Sequence, residues 1–263
     1  MLNFCSLYSG STGNSLFVES ENTKILIDSG VSCKKEEEAL NSLNIDPSSL
    51  NAIIVTHEHI DHVQSLGTLS KKYNIPVFAS QKTWDAMPTQ RDKINFSNQK
   101  HFCTSDCFEI GDLKISPFST PHDAADSCGF VISNNNTKMS IATDLGHMTN
   151  EILSKLEGSK FILLEANYEP EVLKCCSYPY SVKTRISGPT GHLSNNMAGE
   201  TISHLLNTGL ESVMLGHLSK ESNFPELAYK TVINQLIENH FNENSLNLSI
   251  ANRNSVSKFI KIA

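Results

Sequence analysis

The chain predicts an α/β fold in which two sheets pack face to face with helices outside, and three observations point to it. Short β-branched and aliphatic runs recur in both halves, helical patterns with an apolar face separate them, and tight hairpins alternate with helical crossovers. That mixture argues against a simple alternating barrel or a doubly wound sheet. With 263 residues and 39% hydrophobic content, a substantial core is available, and one domain spanning 1–263 is the expected organisation.

In chain order, strands are predicted near 2–8, 15–19 and 24–28, a helix near 33–43, a strand at 52–56, a helix from His62 to about Tyr73 and a strand at 76–79. Alternating or apolar runs at 113–120, 127–133 and 137–143 read as strands, with Asn134-Asn135-Asn136 supplying a hairpin turn. A helix near 149–157, a strand at 161–164, a helix near 195–207, a strand at 212–216, a helix at 225–241 and strands near 246–250 and 257–261 complete the chain. The second half thus repeats the first in coarse outline, without a short-period repeat or a low-complexity linker.

The formal charge of −7 argues against broad, non-specific nucleic-acid binding, which leaves a basic footprint. It does not argue against nucleic acid at one site, because two bound dications would leave about −3. Seven cysteines form an odd set without disulfide-framework or zinc-ribbon spacing, as expected of reduced thiols. Cys103 and Cys107 lie four apart without a second pair, and Cys175-Cys176 reads as packing. No stretch reaches the ~18 to 20 apolar residues of a membrane span, and the N-terminus has neither a basic region nor a long apolar segment. A cytoplasmic protein is expected.

The chemistry concentrates in His57-Glu58-His59-Ile60-Asp61-His62, directly after the apolar run Ala52 to Val55. At a strand end, residues i and i+2 point the same way, so His57 and His59 can grip one ion while Asp61 and His62 turn toward another. The helical zinc motif His-Glu-x-x-His is ruled out because Asp61 stands where its second His belongs. Three further candidates also end apolar runs: His122, Asp144 and His217. Each alone would more often be an ordinary loop residue, but the shared position reverses that weighing.

With this order of residues the chain resembles the metallo-β-lactamase-fold hydrolases, whose pattern is His-x-His-x-Asp-His followed by a later His, an Asp and a last His. The resemblance implies a four-layered αβ/βα sandwich in which His57, His59 and His122 hold one metal, Asp61, His62 and His217 hold the other, and Asp144 bridges both. Asp144 points away from true β-lactamases toward the binuclear phosphodiesterase, thioesterase and nuclease branches. The 145–216 stretch leaves no room for the large inserted domain of the β-CASP nucleases.

Four local features, Ser9 to Ser15, Leu164-Glu165-Ala166-Asn167, Gly191-His192-Leu193-Ser194-Asn195 and Gly216 to Asn223, are similar to the WalJ/YycJ (VicX) subgroup, which is associated with metal-dependent 5′-to-3′ DNA exonuclease activity. Tyr168 and Ser222 depart from its pattern, where His and Asn are expected. The resemblance implies a metal-bridging hydroxide as nucleophile, with Asp61 also orienting the water, and hydrolysis of nucleic acid, DNA first. A small-molecule hydrolase acting on a cyclic phosphodiester, thioester or lactone is the alternative, and a non-catalytic binding protein is opposed by the intact ligand set.

Candidate substrate-binding residues are Ser11, Asn14, His147, Arg185, His192 and Lys220. The turn at Gly10 to Asn14 is not a P-loop, because the Gly-Lys-Ser/Thr ending is absent. His192 precedes a helix whose first N–H groups suit a phosphate, and it is the candidate contact for a phosphoryl or leaving oxygen. Lys174 and Lys183 read as solvated charge. Five imidazoles and two carboxylates suit two divalent ions, Zn2+ or Mn2+, and also accept iron.

Overall fold

The structure, a computed structural model, describes residues 1–135, 137–242 and 246–263. The first sheet contains β1 (Leu2–Tyr8), β2 (Ser15–Glu19), β3 (Lys24–Ile27), β4 (Ala52–Ile54), β5 (Val77–Ser80) and β6 (Gln99–Phe102). The second contains β7 (Phe108–Ile110), β8 (Leu113–Ser119), β9 (Cys128–Asn134), β10 (Thr137–Ala142), β11 (Phe161–Glu165), β12 (Ser212–Gly216) and β13 (Asn247–Ile250). The last strand, β14 (Ile260–Ile262), returns to the first sheet beside β1, giving the orders β14-β1-β2-β3-β4-β5-β6 and β13-β12-β11-β10-β9-β8-β7.

Both sheets follow the same plan. An antiparallel meander, β1-β2-β3 or β7-β8-β9-β10, gives way to parallel strands, β3-β4-β5-β6 or β10-β11-β12-β13. Parallel strands need crossovers, which cover their outer faces, so inner strands such as β4, β11 and β12 are buried on both faces and read as apolar runs, while the edge strands β6 and β13 stay partly exposed. Phe4, Ile25, Ile27, Ile54, Phe130, Phe161 and Leu163 fill the layer between the sheets. Their neighbours of opposite parity, such as Leu26, Ile53 and Val55, or Ile162, Leu164 and Val213, face the two outer helical layers. The expected four-layered αβ/βα sandwich is the observed one.

The helices are α1 (Cys33–Ser42), α2 (Ile60–Val63), α3 (Leu66–Tyr73), α4 (Gln81–Ala86), α5 (Pro88–Arg91), α6 (Asn150–Leu156), α7 (Pro170–Cys175), α8 (Tyr180–Ile186), α9 (Asn195–Leu206) and α10 (Pro225–Glu238). The helix expected from His62 to Tyr73 is broken into α2 and α3. In a continuous helix the Asp61 carbonyl would accept from Ser65 N–H. Here it accepts from Asn14 N–H at 2.8 Å, while Ser65 N–H donates to Ser29 O at 3.0 Å. Both diversions lead to the loops that build the site.

The helix expected to reach residue 241 stops at Glu238, because His240 takes φ 65° and Phe241 N–H returns to Leu236 O at 2.9 Å, a left-handed stop. The strand expected at 257–261 begins only at Ile260. The helices α4, α5, α7 and α8 and the edge strands β6 and β7 were not legible in the sequence, since elements of three to seven residues carry too few apolar repeats. Of the predicted hairpin turn, Asn135 takes φ 51°, as a tight turn requires, and Asn136 lies outside the described residues. No helix among the described residues is long and apolar enough to cross a membrane.

Candidate active site

The C-terminal ends of the parallel strands in both sheets meet along one edge of the sandwich. Asp28 follows β3, Thr56 to His62 follow β4, Asp144 follows β10, Glu165 ends β11 and His217 follows β12. Asp28, Asp144 and His217 take φ of 64°, 57° and 55°. That left-handed conformation costs an L-residue energy and persists where surrounding contacts over-determine it. It turns the chain sharply at the strand end, where each of the three side chains joins the cluster.

All seven predicted ligands come together. The ligand atoms of His57, His59 and His122 lie within 4.8 Å of one another, and so do those of Asp61, His62 and His217. Asp144 stands between the groups, with Oδ2 3.5 Å from His62 Nε2 and Oδ1 3.5 Å from His217 Nε2 and 3.9 Å from His122 Nε2. His57, His62, His122, Asp144 and His217 are buried, and Asp61 and His59 are half-buried.

Ring orientation is set from behind. His62 Nδ1–H donates to Asp28 Oδ2 at 2.7 Å. The Thr56 hydroxyl donates to the same oxygen at 2.8 Å and accepts from His57 Nδ1–H at 3.0 Å, while Thr56 N–H binds Asp28 Oδ1 at 2.8 Å. On the other side, His217 Nδ1–H donates to Glu165 Oε1 at 3.0 Å and His122 Nδ1–H to Gly191 O at 3.1 Å. With each Nδ1 engaged, each Nε2 faces the cluster, the arrangement that metal-ligating imidazoles adopt, and that of His62 accepts there from the Asn14 amide at 3.0 Å.

A direct test of fit is which buried polar atoms lack a partner. His57 Nε2, His217 Nε2 and Asp144 Oδ2 have none. Orphaned acceptors of this kind are costly; the others among the described residues, on Asn3, Ser6, Glu58 and Ser222, are not predicted ligands, whereas these three all belong to the ligand cluster, where bound cations would satisfy them. Nitrogen and carboxylate donors without thiolate fit divalent ions of intermediate or hard character.

The electrostatics are those of a packed acid–imidazole cluster. Burial pushes His57 well below its ordinary pKa, and the neighbouring imidazoles add to this. Burial opposes charge on His62 as well, but Asp144, Asp28 and Asp61 outweigh it and raise it to about 9. Burial would raise Glu165, yet His192 and His217 hold it well below the usual carboxylate range. Asp61 is held low in the same way, against its burial, by His217 and His62.

Of the expected substrate contacts, His192 lies inside the site, its ring 5.2 Å from that of His122 and 5.3 Å from that of His217. Its Nδ1–H donates to Glu165 Oε1 at 2.7 Å. Arg185, 57% exposed, pairs with Asp123 through Nε at 2.6 Å and a terminal nitrogen at 3.1 Å. Asp123 follows His122 and reaches to 3.4 Å from its Nε2. His147 is exposed, with Nδ1–H on Pro189 O at 2.9 Å. Ser11 and Lys220 are exposed loop residues. Asn14 is buried behind the site, its amide spanning Gly10 N–H at 2.9 Å, Asp61 Oδ2 at 3.3 Å and His62 Nε2 at 3.0 Å.

The sequence assigns no role to the supporting residues Asp28, Thr56, Glu165 and Asn167, although Glu165 and Asn167 fall within one of the local features that carry the subgroup resemblance. Asp28 and Glu165 satisfy the rule that selected Asp144, a carboxylate closing an apolar run, so that signal was present. Asn167, whose amide donates to His217 O at 2.8 Å, offers no comparable signal. Gly30 is also required, because a Cβ there would lie 1.6 Å from Asp61 O.

A family model described as a β-lactamase superfamily domain matches residues 23–218. The chain is 35% identical over 240 residues to Exodeoxyribonuclease YycJ of Bacillus anthracis, covering 91% of each. It is 37% identical over 235 residues to Exodeoxyribonuclease WalJ of Streptococcus pneumoniae, covering 88% of this chain and 87% of that one. Its fold is similar to the crystal structure of the metallo-β-lactamase fold protein YhfI from Bacillus subtilis, with a TM-score of 0.72 at 16% identity over 97% of this chain and 98% of that one.

Proposed function

Because the chain belongs to the β-lactamase superfamily, and within it to the group of the YycJ and WalJ exodeoxyribonucleases, we propose that it is a metal-dependent phosphodiesterase acting on nucleic acid, a DNA exonuclease working from 5′ ends in the cytoplasm as one hydrolase domain over 1–263. The fold implies divalent-metal binding. Two ions, Zn2+ or Mn2+ with iron as a further option, would be held by His57, His59 and His122 and by Asp61, His62 and His217, with Asp144 between them. The observation that carries this reading is the convergence of His57 Nε2, His217 Nε2 and Asp144 Oδ2, buried and without partners.

When bound, the ions supply water activation and neutralisation of charge on the phosphoryl oxygens. The protein's share is placement. Asp61, with 22% of its side chain exposed, orients the attacking water as well as binding metal. His192 keeps Nδ1–H on Glu165 and leaves Nε2 for the phosphoryl or leaving oxygen, and as imidazolium it can give that oxygen a proton while Glu165 balances the charge. No serine or cysteine nucleophile is required.

The test is cleavage of end-labelled single- and double-stranded DNA and RNA, with 5′-phosphate or 5′-hydroxyl ends, by wild type and by Asp144→Ala. The expected result is stepwise product formation from the 5′ end of DNA that requires metal and falls by roughly 10³-fold or more in the variant. Fully metallated protein that cuts no nucleic acid would overturn this reading in favour of a small phosphodiester or thioester.

A further inference from the structure

A groove of about 480 Å³ lies between α7 and α8, lined by Leu173, Lys174, Tyr180, Lys183, Thr184 and Ser187. In a chain of net charge −7, the stretch from Val172 to Gly199 contains no Asp or Glu and carries Lys174, Lys183 and Arg185. The groove is therefore cationic where the protein as a whole is anionic. Leu173 is buried at its base, while the Tyr180 ring stands 85% exposed at its rim. Lys174 is paired with Glu171 at 2.6 Å. Lys183 Nζ donates instead to a carbonyl, Lys174 O, at 2.8 Å, so its charge is not neutralised by that bond.

The groove is tied to the site through α8. Ile186 O, at the end of α8, accepts from His192 N–H at 2.8 Å. Gly191 O orients His122, and Arg185 holds Asp123. A side chain at Gly191 could not be accommodated, because its Cβ would lie 2.2 Å from Arg185 O. Six residues of helical rise put Tyr180 about 9 Å along α8 from Ile186, so the groove extends away from the end of α8 that holds His192.

An exposed aromatic face, Tyr180, beside an unneutralised lysine, Lys183, is the combination that binds single strands without regard to sequence. Resting on the nucleic-acid reading above, we propose that this groove receives the strand leading away from the reacting end, with a nucleobase stacked on Tyr180 and a phosphate on Lys183. A mononucleotide or dinucleotide would engage the metal site but leave the groove largely unused. The groove thus distinguishes long strands from short ones.

The experiment compares wild type, Tyr180→Ala, Tyr180→Phe, Lys183→Gln and the remote control Phe96→Ala, all metal-loaded. Binding is read by fluorescence anisotropy of a 3′-labelled single-stranded deoxyoligonucleotide with phosphorothioate linkages at its 5′ end. Hydrolysis is read on the natural oligonucleotide, on a 5′-phosphorylated dinucleotide and on bis(4-nitrophenyl) phosphate. Tyr180→Ala should weaken long-strand binding about tenfold, and by clearly more than it lowers dinucleotide hydrolysis. Tyr180→Phe should stay near wild type because the ring is kept, and Lys183→Gln should reduce the salt dependence of binding by about one unit.

If wild type binds and cuts DNA while Tyr180→Ala binds within twofold, or loses equally on both lengths, the groove assignment falls and the nuclease reading stands. If wild type hydrolyses the small phosphodiester but neither binds nor cuts DNA, both fall together.

Discussion

Asp28, at the end of β3, and Glu165, at the end of β11, are buried carboxylates that support the site from opposite sheets, and they differ in what else they hold. Asp28 reaches His62 directly and His57 through Thr56, so both of its imidazoles are proposed metal ligands. Glu165 shares one oxygen between the proposed ligand His217 and the proposed substrate contact His192, and its other oxygen accepts from Leu145 N–H at 3.0 Å and Leu193 N–H at 3.3 Å. The first sheet therefore builds a support for metal alone. The second couples metal position to the group that meets the substrate, and it also fixes the loops that carry Asp144 and His192.

This contrast predicts separable defects. The largest belongs to Glu165→Gln, which removes the charge facing two imidazoles at once, and kcat/KM should fall by roughly 10³-fold. Saturating metal should restore only part of that loss, because the His192 defect persists; full recovery with metal would mean that Glu165 serves the metal alone. His192→Ala should lower kcat by roughly 10²-fold with metal content, read by elemental analysis, unchanged. Metal loss in that variant would make His192 a ligand and erase the proposed asymmetry.

Asp28→Asn should weaken metal affinity roughly 10- to 100-fold, with activity recovered as metal concentration rises. A kcat that stays low at saturating metal would show that the two supports are equivalent. The smallest effect on catalysis concerns Glu36, on α1 behind the first sheet's half of the site, which accepts from Ser15 at 2.9 Å and Ser29 at 3.4 Å. Burial pushes its carboxyl up to about 8. Since an unfolded carboxyl ionises near 4.3, the stability Glu36 contributes is complete below that value and is lost as pH rises toward 8. Relative to wild type, Glu36→Gln should therefore gain up to about 5 kcal/mol between pH 4 and pH 8. Parallel melting curves across that range would count against a neutral Glu36.

Much of this site was legible because its main motif is local. His57, His59, Asp61 and His62 fall within six residues, and His122, Asp144 and His217 each close an apolar run, so strand ends and residue chemistry sufficed to list them. The same rule, applied to carboxylates that are not ligands, would have found Asp28 and Glu165. Lys174 and Lys183 read as scattered surface charge, because no local pattern shows that α7 and α8 fold into one groove.

The apolar runs and the order of His and Asp residues carried the sheets, the layers and the ligand list, since periodicity and side-chain chemistry are properties of short segments. The break between α2 and α3, the tethering of each imidazole and the joining of α8 to His122 came from the fold. There the deciding partners lie far apart in the chain, as when Asn14 takes the Asp61 carbonyl that a helix would have used. Long-range hydrogen bonds of this kind overrule local preference because a buried backbone group must be satisfied by whichever partner the packing brings to it.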